Sequence, residues 1–336
     1  MNNRLAVLIP AFEGGDLLRR TVESCLNAGL DRSTYSVIVV DNASADGSLN
    51  GLDPDVEVHR NPHNVGRTGN WNRALEIAEQ AGFTYATFLF VGDEWIKDGS
   101  LGQLLRSMEV NGSVLGMAAL RIVSEEGTLV REGARVSIRG AAAQVDSSSL
   151  LTRAISSGRL PFAPVQCNVY RLYKDRPLRF SARPEDGLNC DLEATVRFLQ
   201  NHPGVVSIEA EPQLLWKERR GRFFTGQDPW NVFIGTRQTL QRVSDSTGIA
   251  VDWKNANAVA MLAALRETST LIPLRARLSF QLRALIYLLR DTSGLSALRM
   301  IAFVLRKVIR GRNYLDLSDE PDLVRRTSTP LQAVAE

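Results

Sequence analysis

The first hundred residues alternate between short apolar runs and segments in which apolar residues recur with helical spacing. Continuous apolar runs predict strands, at residues 5–9, 35–40 and 85–91, with a shorter strand at residues 56–59. We expect Asp16 to cap the first helix, and the pattern predicts another helix at residues 70–78. Alternation at this spacing is typical of a parallel sheet, whose ligands bind beyond the carboxyl ends of the strands.

After residue 101 the pattern becomes mixed α+β up to about residue 215, with a helix predicted at 191–199. After residue 226 the strand pattern fades, and residues 255–266 and 274–310 have helical spacing. The sequence therefore predicts an α/β domain over residues 1–225, a helical region over 226–318 and a flexible polar tail over 319–336.

Composition narrows the class of protein. The chain has 336 residues, of which 44% are hydrophobic, and a net charge of +3, which argues against wholesale disorder and against nucleic-acid binding. Cys25, Cys167 and Cys190 lack the spacing of metal ligands, and their odd number without a disulfide framework favours a reducing compartment. Because no apolar run is long enough to span a membrane, the expected location is the cytoplasm.

Acidic residues follow two of the predicted strands. Asp93 and Glu94 come directly after the third long apolar run, where we expect them to be partly exposed. Adjacent carboxylates suit Mg²⁺ or Mn²⁺, although an acidic surface turn has the same pattern. Asp41 ends the second run and could accept hydrogen bonds from a base or ribose, or only shape its turn.

Three further segments carry candidate chemistry. The loop at residues 64–73 places Arg67 where it could meet a phosphate, or it is only a helix start with Trp71 in the core. Asp191 is either a general base or a helix N-terminal acid. The basic run at residues 216–222, with Lys217 and Arg219, is either a diphosphate clamp or a solvated loop.

The order of these segments resembles that of family 2 glycosyltransferases. The segments that carry the resemblance are Val7-Leu-Ile-Pro-Ala-Phe12, Val39-Val-Asp-Asn-Ala-Ser-Ala-Asp-Gly47, Asn64-Val-Gly-Arg67 with Asn70-Trp-Asn72, and Phe88-Leu-Phe-Val-Gly-Asp-Glu94. The resemblance covers roughly residues 4–225. It implies the GT-A fold, a Rossmann-like mixed α/β sheet flanked by helices, here with a C-terminal helical extension.

The resemblance also implies a role for each candidate residue. The residues expected to bind the nucleotide-sugar are Pro10, Ala11, Glu13, Asp41, Arg67, Asn72, Asp93, Lys217 and Arg219. Asp93 and Glu94 would hold the metal, and Asp191 would be the catalytic base. The sequence departs from the family pattern at Glu13, where asparagine is more usual, and at Gly92 and Glu94, which replace two aspartates.

The implied reaction moves a sugar from a nucleoside-diphosphate sugar to a glycan or lipid-linked acceptor, with inversion at the anomeric carbon. It belongs to the synthesis of cell-surface polysaccharides or glycolipids. A nucleotidyltransferase is an alternative, but the loop at residues 12–16 lacks the expected cation. A non-catalytic protein that binds sugar nucleotides is a second alternative.

The C-terminal region combines basic and apolar residues. Residues 274–312 contain nine arginines and lysines and one acid, Asp291, interleaved with leucines, isoleucines and other apolar residues. Such helices either lie on the anionic inner face of a membrane or pack their apolar face on the α/β domain or on a second subunit.

Overall fold

The computed structural model describes most of the first 253 residues. The described ranges are 5–124, 127–133, 143–156, 158, 164–181, 189–217 and 229–253, with individual positions at 256, 257, 260, 264, 279, 280, 282, 283 and 286. Arg219 and most of the C-terminal region lie outside these residues. Among the residues described, no helix is both long and apolar enough to span a membrane.

Four parallel strands form the N-terminal half of the sheet, in the spatial order β3-β2-β1-β4. Their bounds are Leu5–Ala11 for β1, Tyr35–Asp41 for β2, Glu57–Arg60 for β3 and Tyr85–Phe88 for β4. Most residues of β1, β2 and β4 are buried, as their uninterrupted apolar sequences predict. β4 ends earlier than predicted because the chain turns at residues 90–93, where the Asp93 amide donates to the Phe90 carbonyl over 2.8 Å.

The other half makes the sheet mixed. It contains β5 (Glu94–Trp95), β6 (Leu115–Val123), β7 (Leu129–Gly133), β8 (Ala143–Asp146), β9 (Asn168–Arg171) and β10 (Val205–Lys217). β9 is antiparallel to β4 and β6, whereas β10 is parallel to β6 and antiparallel to β5. The main path of the ten-stranded sheet is β3-β2-β1-β4-β9-β6-β10-β5, with β7 beside β6 and β8 beside β10.

The described residues up to 217 form five α-helices. They are α1 (Gly15–Leu26), α2 (Gly66–Gln80), α3 (Leu101–Asn111), α4 (Ser147–Ser156) and α5 (Cys190–Asn201), and a 3-10 turn covers Val165–Cys167. α1 buries Leu18, Val22 and Cys25, one helical turn apart. The prediction that Asp16 caps this helix is wrong: the N-cap is Gly14, two residues earlier, and the helix begins at Gly15. Asp16 instead lies in the first turn, where the helix dipole favours an acid.

The chain divides into two compact units: residues 1–154 with 160–220, and residues 155–159 with 221–336. The second unit contains α6 (Pro229–Thr247), which falls in the predicted helical region although no separate helix was predicted at these residues. The Phe233 ring lies 5.5 Å from the Trp230 ring and 6.3 Å from the Phe280 ring, centroid to centroid. These aromatic residues form a small core of that unit.

Candidate active site

Side chains link the loops that follow β1 and β2. The Glu13 amide donates to Ser44 Oγ over 2.8 Å, and the Glu13 carboxylate accepts the Ala45 amide over 2.8 Å. The Gly15 amide donates to Asp46 Oδ2 over 2.8 Å. Glu13 has a φ of 49°, a conformation that costs free energy in most residues with a side chain, and these contacts hold it there. Glu13 therefore stabilises the loop after β2, and its role in binding the nucleotide stays a prediction.

Asp41 ends β2 and has no exposed surface. Its carboxylate accepts hydrogen bonds from the amide and the hydroxyl of Ser44, the amide at 3.1 Å from Oδ2. Arg60 of β3 brings its Nε to 3.5 Å from the same oxygen. On the other side of Asp41, β1 places Ala11 in register with it, and Pro10 in register with Val40. The predicted turn-forming role of Asp41 is thus present in the structure.

An amide network joins β2 and β3 to the start of α2. Asn42 Nδ2 donates to Asn64 Oδ1 over 2.8 Å, and Asn61 Nδ2 donates to Asn70 Oδ1 over 2.9 Å. Asn70 Nδ2 in turn donates to the Val40 carbonyl over 2.9 Å. Most of these amides are buried, and a buried amide is stable only when it is hydrogen-bonded. The network fixes the loop that carries Arg67 beside the end of β2.

Arg67 links the start of α2 to the start of α5. Its guanidinium carbon lies 5.1 Å from the centroid of the Trp71 ring, and its Nη2 lies 3.6 Å from the Cys190 sulfur. Trp71 stacks on Phe90 with centroids 4.8 Å apart, in the turn that leads to Asp93. Through Arg67 and Trp71, these contacts connect Cys190, which precedes Asp191, with Phe90, which precedes Asp93 by three residues. Trp71 is buried, as the core interpretation predicted.

Asn72 contacts backbone rather than facing solvent. Its Nδ2 donates to the Phe180 carbonyl over 2.9 Å, and its Oδ1 accepts the Phe180 amide over 2.7 Å. The Phe180 ring packs edge-on to Trp71 with a centroid distance of 5.1 Å. Asn72 therefore anchors the segment around residue 180, and its role in binding the donor remains a prediction.

Asp93 is fully buried, which corrects the expectation that it is partly exposed. The physical reason is the turn after β4: Gly92 adopts a φ of 86°, which a residue without a Cβ reaches at low cost. Thr21 of α1 holds the turn, because its hydroxyl accepts the Gly92 amide over 2.7 Å and donates to the Asp93 carbonyl over 2.9 Å. This geometry accounts for glycine at a position where the family pattern has an aspartate.

Glu94 begins β5 and forms an ion pair with Lys217, the last residue of β10. The Glu94 side chain is 23% exposed and that of Lys217 is 16% exposed. Two residues that were predicted to contact a metal and a diphosphate, respectively, are therefore partners of each other. Within the described ranges, no three acidic, cysteine or histidine side chains form a group that could hold a metal ion by themselves.

Asp191 lies in the first turn of α5 and is partly exposed. The Thr195 hydroxyl donates to the Asp191 carbonyl over 2.8 Å and lies 2.8 Å from the Tyr170 hydroxyl. Burial raises the pKa of the Tyr170 phenol, so this tyrosine remains neutral. The buried contacts hold the first turn of α5 in place while Asp191 retains access to solvent.

The sequence profile described as Glycosyl transferase family 2 matches residues 6–179, more than half of the chain. The chain belongs to this family. A search of curated protein sequences gave no match.

The fold is similar to those of solved glycosyltransferases. Residues 1–349 of S. aureus TarS in complex with UDP-GlcNAc align with a TM-score of 0.56 and 17% identity, over 93% of this chain and 88% of that one. Mannosyltransferase PcManGT from Pyrobaculum calidifontis, in complex with GDP-Man and Mn²⁺, aligns with a TM-score of 0.50 and 14% identity, over 93% and 81%. A longer TarS structure aligns over 91% of this chain but 51% of its own length, with a TM-score of 0.54 and 17% identity. The chain therefore spans about half of that longer protein.

These comparisons confirm the predicted family and the GT-A fold, with a mixed central sheet flanked by helices. Within this family 2 glycosyltransferase, the structure adds residues that the sequence reasoning missed, above all Ser44, Arg60 and Thr21. The three-residue spacing of Asp41 and Ser44 is a turn signal that could have revealed Ser44. Arg60 reaches Asp41 only through the pairing of β2 with β3, which no local pattern shows.

Proposed function

We propose that the chain is an inverting glycosyltransferase that moves a sugar from a nucleoside-diphosphate sugar to an acceptor hydroxyl. One observation carries the proposal. Asp41 ends β2 and Asp93 follows β4, and these two strands flank β1. Arg67 contacts Cys190, the residue before Asp191, which links the start of α5 to the start of α2. Ligands of parallel sheets bind beyond the carboxyl ends of the strands.

The donor would lie across the carboxyl ends of β2, β1 and β4. Its nucleoside end would meet Pro10, Ala11 and the Asp41 turn, and its diphosphate would extend toward Glu94 and Lys217. Arg67 and Arg219 would supply further positive charge. TarS and PcManGT are solved with UDP-GlcNAc and GDP-Man, which supports a nucleotide-sugar as the donor here.

We propose that Asp93 and Glu94 would hold a divalent metal here. Asp93 and Glu94 offer the carboxylate oxygens that Mg²⁺ and Mn²⁺ prefer, and ligation by two carboxylates plus substrate phosphates is common for Mg²⁺. When bound, the ion would neutralise the charge of the leaving diphosphate. The Lys217 ammonium, which is paired with Glu94, would be a second positive group beside the diphosphate.

The proposed chemical step is one displacement. The Asp191 carboxylate accepts the proton of the acceptor hydroxyl, whose oxygen bonds to the anomeric carbon as that carbon loses its bond to the diphosphate. Attack from the opposite face inverts the configuration. Lys217 and Arg219 hold the departing diphosphate, and electrostatic stabilisation of this kind is commonly the largest contribution to the rate.

A panel of nucleotide-sugars tests the proposal. The purified chain is incubated with each donor in Mn²⁺ or in EDTA, and the released nucleotide is identified. Release of nucleoside diphosphate from at least one donor, faster with Mn²⁺, is the expected result. Release of nucleoside monophosphate or pyrophosphate would indicate a nucleotidyltransferase instead. Binding of donors without turnover in the presence of glycan and lipid-linked acceptors would favour a non-catalytic role.

We also propose that the C-terminal region contacts the anionic inner face of a membrane, where lipid-linked acceptors lie. Phe280 is 2% exposed, whereas Leu282 and Ile286 are 60% and 52% exposed. These two side chains are one helical turn apart, so together they present an apolar surface. In liposome flotation, the wild type is expected to bind anionic vesicles at low salt, and Leu282→Ser/Ile286→Ser to bind weakly. A wild type that ignores such vesicles would leave intramolecular packing or a second subunit as the partner of this surface.

A further inference from the structure

The acid–cation pair at the ends of β2 and β3 has its acid buried and its cation exposed. Arg60 is in register with Asp41 in the parallel pairing of the two strands. The Asp41 side chain is 0% exposed, and that of Arg60 is 57% exposed. The surface that a ligand meets beside Asp41 is therefore the guanidinium of Arg60.

Two contacts orient this guanidinium. Its Nη2 donates to the Ser44 carbonyl over 2.6 Å, and its Nε lies 3.5 Å from Asp41 Oδ2. A guanidinium carries five N–H donors and no acceptor, and these are the contacts recorded for it among the described residues. The remaining donors are available to a ligand, held in direction by Asp41 and Ser44.

We propose that Arg60 determines which nucleobase the donor carries, by donating to O4 of uracil or thymine or to O6 of guanine. This inference rests on the proposed function and concerns the nucleoside end of the same site. Adjacent guanidinium donors match acceptor edges such as O6 and N7 of guanine. Arg60 acts as a specificity residue and takes no part in the displacement.

Cytosine and adenine are disfavoured by the same geometry. Each places an exocyclic amino group where uracil, thymine and guanine carry a carbonyl oxygen. An amino group facing a guanidinium brings donor against donor, and both groups lose hydrogen bonds to water without replacement. Sites built on such hydrogen bonds discriminate strongly against ligands that lack the matching group.

Calorimetric titration with UDP, GDP, dTDP, CDP and ADP, each with Mg²⁺, tests the inference. The wild type is expected to bind at least one of UDP, GDP and dTDP about tenfold or more tightly than CDP and ADP. In Arg60→Gln, the ratio of these affinities should fall toward one, because glutamine offers both a donor and an acceptor. Arg73→Gln is the matched control, since Arg73 is an exposed arginine on α2 that forms an ion pair with Glu76 of the same helix, at 3.5 Å.

The affinity ratio separates the possible outcomes. A general loss of folding in Arg60→Gln would weaken all five nucleotides equally, whereas the proposal requires a change in their order. Equal wild-type affinities, a preference for CDP or ADP, or a preference that survives in Arg60→Gln would each overturn the role of Arg60 while leaving the transferase proposal intact. Failure of every nucleotide to bind the wild type would overturn both proposals.

Discussion

The two ends of the site differ in what their side chains hold. At the proposed nucleotide end, side chains hold the loop backbone as well as one another: Glu13 accepts the Ala45 amide, and Asp41 accepts both the amide and the hydroxyl of Ser44. At the reaction end, side chains bind each other, as in the partly exposed pair Glu94–Lys217. Contacts to backbone fix the shape of a loop, whereas a partly exposed side-chain pair can exchange its partner for a charged ligand. The difference indicates a preformed nucleotide end and a reaction end that adapts.

This comparison predicts a division of effects. Substitutions at the nucleotide end should change donor affinity and the free energy of unfolding, because the same contacts hold the loops. Substitutions at the reaction end should change the rate of transfer at saturating donor, because their charges matter most as the diphosphate departs.

Among the substitutions that test this comparison, the largest effect is expected for Asp93→Asn. The substitution keeps the shape of a side chain that is wholly buried but removes its charge, and the transfer rate should fall about 10²–10³-fold. The measurement is the rate at saturating donor and Mn²⁺. Asp98→Asn is a suitable control, since Asp98 is exposed and has a φ of 54°, which asparagine tolerates. A wild-type rate in Asp93→Asn, or in wild-type enzyme with EDTA, would contradict the metal assignment.

A smaller fall in the transfer rate is expected for Lys217→Gln, because Arg67 and Arg219 are also proposed to bind the diphosphate. The rate should fall about 10- to 100-fold. A double-mutant cycle with Glu94→Gln measures the coupling of the pair. Strictly additive effects on the rate would show that the two residues act independently and would count against an adaptable reaction end.

Asp41→Asn should act mainly on binding. Loss of the charge weakens the contacts with Ser44 and Arg60, so donor affinity should fall about tenfold and the free energy of unfolding by about 1–3 kcal/mol. The rate at saturating donor should remain close to that of the wild type. Titration of the donor and chemical denaturation provide the two values. An unchanged affinity would leave Asp41 with a turn-forming role alone.

The smallest effect is expected for Glu13→Asn, which restores the residue usual in the family. Asparagine adopts positive φ more readily than glutamate, which offsets the lost contact with the Ala45 amide. The free energy of unfolding should therefore change by about 0.5 kcal/mol or less in either direction. A destabilisation of several kcal/mol in thermal or chemical denaturation would contradict this expectation. It would show that the Glu13 carboxylate stabilises the loop by more than its hydrogen bond to the Ala45 amide.

The sequence predicted the fold where local pattern dominates. The continuous apolar runs of β1, β2 and β4 are typical of strands buried on both faces. The positions of these strands, and of the polar residues at their carboxyl ends, could therefore be predicted from the sequence alone. The burial of Asp93 could not, because it depends on Thr21, which is 72 residues away in sequence. Asn72 and Phe180 are 108 residues apart, and their contact likewise arises only in the folded chain.

The central claim is that Asp191 acts as a base in sugar transfer and not as part of the donor pocket. Single-turnover transfer and donor affinity, measured side by side for Asp191→Asn and Glu193→Gln, test it most directly, since both acids lie in the first turn of α5. We predict that Asp191→Asn lowers the rate about 10²–10⁴-fold with donor affinity nearly unchanged, and that Glu193→Gln transfers at close to the wild-type rate. A wild-type rate in Asp191→Asn, or a collapse of its donor affinity together with the rate, would contradict the account.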